Sequence, residues 1–197
     1  MKNINLTFRI EGGRYKGRTL QLPSKQTTRS TKSIVKGSLF DTLQNEIVDT
    51  IFVEGFGGSG SVGLEAISRG AKHAYFVEKD HDSYSVLKKN IAAIDSTRCT
   101  AWEGDTFERL PELMQKLEAQ HQEAYVYLDP PFSVREGMDD IYEKTMDMIQ
   151  KFSPQTIIMI VVEHESIVVL PPCIGLFSCS KQRRFGRTTL SYYRLAS

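Results

Sequence analysis

The sequence predicts an α/β, Rossmann-like fold: a mostly parallel seven-stranded sheet with a C-terminal antiparallel hairpin and an N-terminal β-hairpin extension. Three observations predict it. Between residues 50 and 162, short apolar runs alternate with amphipathic stretches over short loops, the pattern of parallel strands covered by helices on both faces. A glycine-rich segment follows the first of these runs and opens the next helix. Beyond residue 175 the alternation stops, and two strand-like stretches adjoin at Gly186-Arg187.

Taken in order, residues 6–10 and 14–22 read as short strands around Glu11-Gly12-Gly13, a basic hairpin. In residues 30–45, Ile34, Val35, Leu39, Phe40 and Leu43 recur at helical spacing, with Ser30 or Thr31 available as a cap. The alternation follows as strand 50–54, helix 61–69, strand 73–77, helix 81–93 and strand 97–102. It continues as helix 106–119, strand 124–128, helix 138–151 and strand 156–162, before the closing hairpin of 175–185 and 188–195. No interdomain linker or internal repeat interrupts this pattern, so the chain divides into a hairpin extension, 1–29, and one domain, 30–197.

Composition narrows the class. With 40% hydrophobic and 25% charged residues, the chain suits an ordinary globular domain. Its longest apolar stretch, 156–162, falls short of the roughly 20 residues that cross a bilayer, and the N-terminus has no signal-peptide core. Cys99, Cys173 and Cys179 form neither a CxxC pair nor a Cys/His zinc spacing, and the four histidines are scattered. A reduced, cytoplasmic monomer without metal or membrane contact is the expectation.

The net charge of +1 hides a segregation. Residues 1–40 hold nine Lys or Arg against one acid, Glu11, and five more bases without an acid follow from Cys173 onward. Residues 41–172 are left with 11 bases and 23 acids. Basic flanks around an acidic middle suit a polyanion held beside a site that does chemistry, and the bases alternate with Gly, Tyr and Phe. Nucleic acid is therefore the expected partner.

The segment from Glu54 to Glu65 contains Gly58-x-Gly60-x-x-Gly63, with Phe56, Gly57 and Ser59 in the same loop. Glycines let the backbone turn sharply and approach a ligand, while the helix that follows offers free N–H groups. Such a loop serves either a dinucleotide or S-adenosylmethionine. Four successive strand ends carry Glu54, Glu78, Asp105 and Asp129, and in an open α/β sheet those ends share one crevice. Carboxylates repel a pyrophosphate but suit the sulfonium and ammonium of S-adenosylmethionine.

Asp129-Pro130-Pro131-Phe132 ends the buried run 124–128. Each proline fixes its own φ and lacks an N–H, and Pro131 also restricts Pro130, so the Pro130 carbonyl has a defined direction beside the Asp129 carboxylate. Two fixed acceptors and a flat ring suit a planar base bearing an amino group.

These residues resemble the RsmD-type methyltransferases over nearly the whole chain. The hairpin Arg9-Ile10-x-Gly12-Gly13-Arg14-Tyr15-Lys16-Gly17-Arg18, the loop Phe56 to Ala71, Val77-Glu78-Lys79-Asp80, Asp129 to Phe132 and the tail Arg184 to Arg194 carry the similarity. The resemblance implies a class I S-adenosylmethionine-dependent fold and methylation of a guanine 2-amino group in small-subunit ribosomal RNA, free or in the assembling subunit. It implies catalytic roles for Asp129, Pro130, Pro131 and Phe132. Cofactor contacts are implied for Glu54, Phe56, Gly57, Gly58, Ser59, Gly60, Gly63, Glu78, Lys79, Asp105, Thr106 and Asp129. Nucleic-acid contacts fall to Arg9, Arg14, Lys16, Arg18, Arg29, Arg184 and Arg187. The chain departs from the family where Glu54 replaces Asp, and where Ser30, Ser33, Ile34 and Gly37 replace Pro, Asp, Arg and Glu. Other readings of the same residues are an amino-methyltransferase acting on adenine or cytosine of DNA or another RNA, a nucleic-acid-binding module with a vestigial cofactor fold, and a NAD-dependent oxidoreductase.

Overall fold

A computed structural model describes residues 6–23, 30–131 and 140–196, with Ser30 and Thr31 described by backbone alone. It opens with β1 (Thr7–Arg9) and β2 (Thr19–Gln21), paired antiparallel with Phe8 opposite Leu20. Both strands are shorter than expected because the chain between them folds into tight turns. The Gly17 N–H donates to the Ile10 carbonyl at 2.8 Å, and Gly13 and Gly17 take φ of 74° and 87°. These left-handed values suit glycine, which has no Cβ to clash.

Helix α1 (Ser30–Leu43) buries Val35, Leu39, Phe40 and Leu43, whereas Ile34 is 60% exposed. Strand and helix then alternate as expected: β3 (Ile51–Gly55), α2 (Ser61–Ser68), β4 (His73–Glu78), α3 (His81–Ile94), β5 (Cys99–Glu103) and α4 (Thr106–Ala119). After these come β6 (Ala124–Leu128), α5 (Ile141–Ile149), β7 (Ile157–Glu165), β8 (Cys173–Ile174), β9 (Phe177–Phe185) and β10 (Thr188–Leu195). The sheet has eight strands in the order β5-β4-β3-β6-β7-β10-β9-β8, one more than expected. The extra strand is the two-residue β8, antiparallel to β9 at the edge.

Strands β5, β4, β3, β6 and β7 are mutually parallel, and β10 and β9 continue antiparallel. Both faces of the parallel part are covered, so β3 and β6 are buried at every position. That explains their continuous apolar runs. Phe52, Phe76, Tyr125 and Tyr127 pack toward Leu39, Phe40, Leu64 and Leu87 on one face. Val53, Val126, Leu128 and Ile160 pack toward Leu110, Leu113, Leu117 and Ile149 on the other. The chain leaves β3 first toward β4 and later toward β6, so the strand order reverses beside β3. A crevice opens at such a point, outside the carboxyl ends of the strands.

The N-terminal hairpin is tied to this domain by polar contacts as well as by Ile10 and Leu20, which join the core. Glu65 on α2 accepts the Glu11 and Gly12 N–H groups at 2.8 and 2.7 Å and the Arg69 Nε at 2.8 Å. The Lys36 ammonium lies 3.3 Å from the same carboxylate. Ser68 accepts the Tyr15 N–H at 2.9 Å and donates to the Gly12 carbonyl at 2.5 Å. Among the described residues, no helix is long and apolar enough to cross a membrane, and no three His, Cys, Asp or Glu side chains group as metal ligands.

Candidate active site

The loop after β3 is shaped by steric necessity. Gly60 caps α2 at φ 77°, and a Cβ on Gly63 would stand 2.4 Å from the Phe76 ring and 3.1 Å from the Glu54 carboxylate. Only glycine allows α2 to lie this close to β4 and the end of β3. The buried Glu54 uses that closeness: its carboxylate accepts the Gly63 N–H at 2.8 Å and the Val62 N–H at 3.4 Å. The structure therefore places Glu54 on the first turn of α2, where a carboxylate compensates free N–H groups. Burial pushes its pKa up to about 8. The two N–H bonds act against that rise, Asp129 adds to it, and Lys32 lowers it. Phe56 adopts φ 61°, uncommon for a bulky residue, and donates its N–H to the Thr106 hydroxyl at 3.3 Å. Its ring meets Phe107 edge-on at 5.6 Å.

Glu78 and Asp105 line the next two strand ends. Glu78 accepts the Gly58 N–H at 2.6 Å on one oxygen and the Asp80 N–H at 2.7 Å on the other. Each oxygen keeps a lone pair for a further donor. Asp105 caps α4 by accepting the Phe107 N–H at 2.9 Å, and its second oxygen accepts from Lys79 at 2.7 Å. Burial raises its pKa, but the Lys79 ammonium and the Phe107 N–H outweigh that and hold it low.

Asp129 stands one strand further. It follows Leu128, which pairs with Val162 on β7, so the residue after Val162, Glu163, ends up beside it. Tyr127, in register with Glu54 on β3, is buried between the two strands and donates its hydroxyl to Glu163. Lys32 reaches over from α1 and donates to the Asp129 carboxylate at 3.1 Å. Burial first, and Asp129 second, push the Glu163 pKa up to about 7, while Lys32 and the Tyr127 hydroxyl act the other way. Lys32 is itself raised, chiefly by the Asp129 charge. Because 59% of its side chain is exposed, water partly screens this attraction. Pro130 is buried and Pro131 half-buried behind Asp129, whereas Phe132 lies outside the described residues.

Lys32, Tyr127 and Glu163 are absent from the residues the sequence singles out. Glu163 carries the same signal as Glu54, Glu78 and Asp129: it is the first charge after an apolar strand. Lys32 carries no local signal, since its partner is 97 residues away.

The basic residues divide between two hairpins. Arg9, Arg14, Lys16 and Arg18 are exposed on the first, and the guanidinium carbons of Arg14 and Arg18 lie 5.5 and 5.6 Å from the Tyr15 ring. Arg184 and Arg187 are exposed at the β9–β10 turn, and Arg29 lies outside the described residues. Helix α1 touches both hairpins: Ser33 donates to Glu11 at 2.6 Å, and Arg183 donates to the Ser38 hydroxyl at 3.4 Å. The helix that borders both basic surfaces thus also delivers Lys32 to Asp129.

Residues 8–194 match the family described as conserved hypothetical protein 95. A Haemophilus influenzae protein named ribosomal RNA small subunit methyltransferase D is 30% identical over 174 residues, covering 86% of each chain. A solved Escherichia coli protein, provisionally described as the methyltransferase yhhF, is similar with a TM-score of 0.76 and 28% identity, over 96% of this chain and 98% of its own. An RNA methyltransferase from Salinibacter ruber in complex with S-adenosyl-L-homocysteine shares the fold, with a TM-score of 0.56 at 15% identity over 87% and 95% of the two chains.

Proposed function

Because the chain belongs to the RsmD-type family, described as conserved hypothetical protein 95, we propose that it methylates the exocyclic 2-amino group of a guanine in small-subunit ribosomal RNA with S-adenosylmethionine as donor. It acts on the free RNA or the assembling subunit as a cytoplasmic monomer. The observation that carries this reading is the strand-end crevice, where Asp129 offers an acceptor on a proline-fixed turn next to the glycine loop and Glu54.

The residues of the crevice fit the cofactor. Glu78 retains lone pairs for ribose hydroxyls, the loop at Gly57, Gly58, Ser59 and Gly60 allows close backbone approach, and Asp105 and Thr106 border the Phe56 and Phe107 rings. Glu54, Asp129 and Glu163 favour a cation and disfavour a pyrophosphate. Bound there, S-adenosylmethionine supplies an activated methyl group.

An aryl amine is a weak nucleophile, because its lone pair is delocalised into the ring. The Asp129 carboxylate and the Pro130 carbonyl accept its two N–H bonds, orient it and favour a more pyramidal nitrogen. Alignment of this kind supplies up to about 7–11 kcal/mol of a barrier, so no strong base is required. Phe132 stacks on the base, a contact of about 1–3 kcal/mol in single-stranded recognition, and the base leaves its own stack to reach it. Arg9, Arg14, Lys16, Arg18, Arg29, Arg184 and Arg187 hold the phosphates around it.

The test is to incubate the protein with methyl-labelled S-adenosylmethionine and unmodified small-subunit RNA, then to digest the RNA and identify the labelled nucleoside. N2-methylguanosine is expected. A labelled adenosine or cytidine would replace the guanine assignment, and cofactor binding without any transfer would leave a binding module.

A further inference from the structure

Three carboxylates, Glu54, Asp129 and Glu163, act on one another in the crevice where the amine reading needs one; Glu54 is held by the first turn of α2, and Glu163, 5% exposed, stands on the strand next to Asp129. Its geometry is specific. The β6–β7 register sets it beside Asp129, and the buried Tyr127 holds its carboxylate from the adjoining strand. The groups that face it can be named for each element packed around it. Tyr127 and Asp129 come from the β6 side, Lys32 from α1, and Glu54 from β3 by way of Tyr127. On α5, Tyr142 lies within the field of both Glu163 and Asp129 and binds the Glu165 N–H at 3.1 Å. Across the sheet, Leu190 of β10 stands opposite Glu163, and Arg183 of β9 stands opposite Leu190.

We propose that Glu163 is a positioning residue of the amine site: together with Tyr127 it sets a second carboxylate behind Asp129, and the two stabilise the positive charge that arrives on the target nitrogen. This rests on Asp129 being the amine acceptor. In the transfer, the nitrogen lone pair forms the new N–C bond and the C–S bond breaks, its electron pair remaining on sulfur. The positive charge thereby moves from sulfur to nitrogen, and one N–H proton then passes to Asp129 and on to water. A fixed negative charge beside the nitrogen, on a carboxylate as enclosed as Glu163, favours that movement. Lys32 regulates the same charge. Its cation on Asp129 balances the carboxylates in the free protein, and it favours ionisation of Glu163.

The experiment is the pH profile of kcat for RNA methylation with cofactor kept saturating. The wild type gains rate as pH rises through the Glu163 ionisation at about 7. In Glu163→Gln that step disappears, and the alkaline rate falls roughly tenfold, less than the 10²–10³ of a donor in direct contact. Glu163→Asp restores a step. Lys32→Met, at an exposed position that does not endanger the fold, moves the midpoint to higher pH, because the cation that favours ionised Glu163 is gone. If Glu163→Gln fails to fold, Lys32→Met decides. A wild-type step in Glu163→Gln would assign the ionisation to Glu54 and overturn the inference, as would an unmoved midpoint in Lys32→Met. Asp129→Asn measured alongside separates the two levels: inactivity keeps the amine reading whatever Glu163 does, whereas full activity removes both.

Discussion

Two groups of buried carboxylates lie either side of α2, and they are built in opposite ways. On the hairpin side, Glu65 is completely enclosed, accepts two backbone N–H groups and meets two cations, Arg69 and Lys36. At the strand ends, Glu54 accepts two N–H groups, Glu163 accepts one hydroxyl, and the cation that reaches them from the described residues is the largely exposed Lys32. The first group has matched charge and fastens the N-terminal hairpin to the domain. The second has more carboxylates than cations, so Glu54 and Glu163 hold their protons to unusually high pH, and a cation arriving there favours their ionisation. Burial is common to both, so burial alone does not distinguish structure from function; the balance of charge around it does.

The largest expected effect breaks the matched group. Glu65→Ala leaves Lys36, 7% exposed, with only the more distant Glu11 carboxylate at 3.6 Å and the Arg9 carbonyl, and two hairpin N–H groups without their acceptor. A destabilisation of about 3–5 kcal/mol follows in urea titration. A loss below about 1 kcal/mol would erase the contrast between the two groups.

The next effect concerns pH and has the sign of the unmatched group. Folded Glu54 binds its proton up to about pH 8, whereas an unfolded glutamate releases it near 4.5. Between those values the folded state holds more protons than the unfolded chain, so stability declines as pH rises toward 8. Melting temperature measured from pH 7 to 8.5 falls in the wild type. It falls less in Glu54→Gln. Saturating S-adenosylmethionine, which brings a cation to the carboxylates, also reduces the decline.

The smallest effect separates the acidic crevice from its basic borders. If the N-terminal hairpin holds about four phosphates of single-stranded RNA, log affinity falls with log salt at a slope near −3, and Arg14→Ala lowers that slope by about 0.7. An affinity that does not respond to salt would remove the hairpin from the RNA surface.

Much of this was legible in local sequence. The alternation of apolar runs with amphipathic stretches locates every parallel strand, most sharply the central β3 and β6, because strands buried on both faces must be apolar throughout. Gly60 and Gly63 mark the tight loop before α2, because no other residue fits there. The short strand β8 was missed because two residues at an edge leave no periodicity to detect. Ile34 is exposed beside the buried Val35, since helical spacing alone does not say which of several adjacent apolar residues turns inward. The contact of the Glu54 carboxylate with the first turn of α2 has no local signal, since it follows from the close helix approach that glycine permits. Lys32 and Glu163 depend on how distant segments dock: α1 over β6, and β7 in register with β6. Those relations exist only after folding.

If the unmatched carboxylates form the place where an amine is methylated, Asp129→Asn strikes at the acceptor itself. The substitution keeps the shape of the side chain but removes its charge. Methyl transfer to small-subunit RNA, measured with S-adenosylmethionine affinity by calorimetry on the same preparation, is expected to fall about 10²–10³-fold, far more than the loss of cofactor affinity that goes with one missing charge, while the melting temperature stays close to wild type. Wild-type turnover in Asp129→Asn would contradict the account.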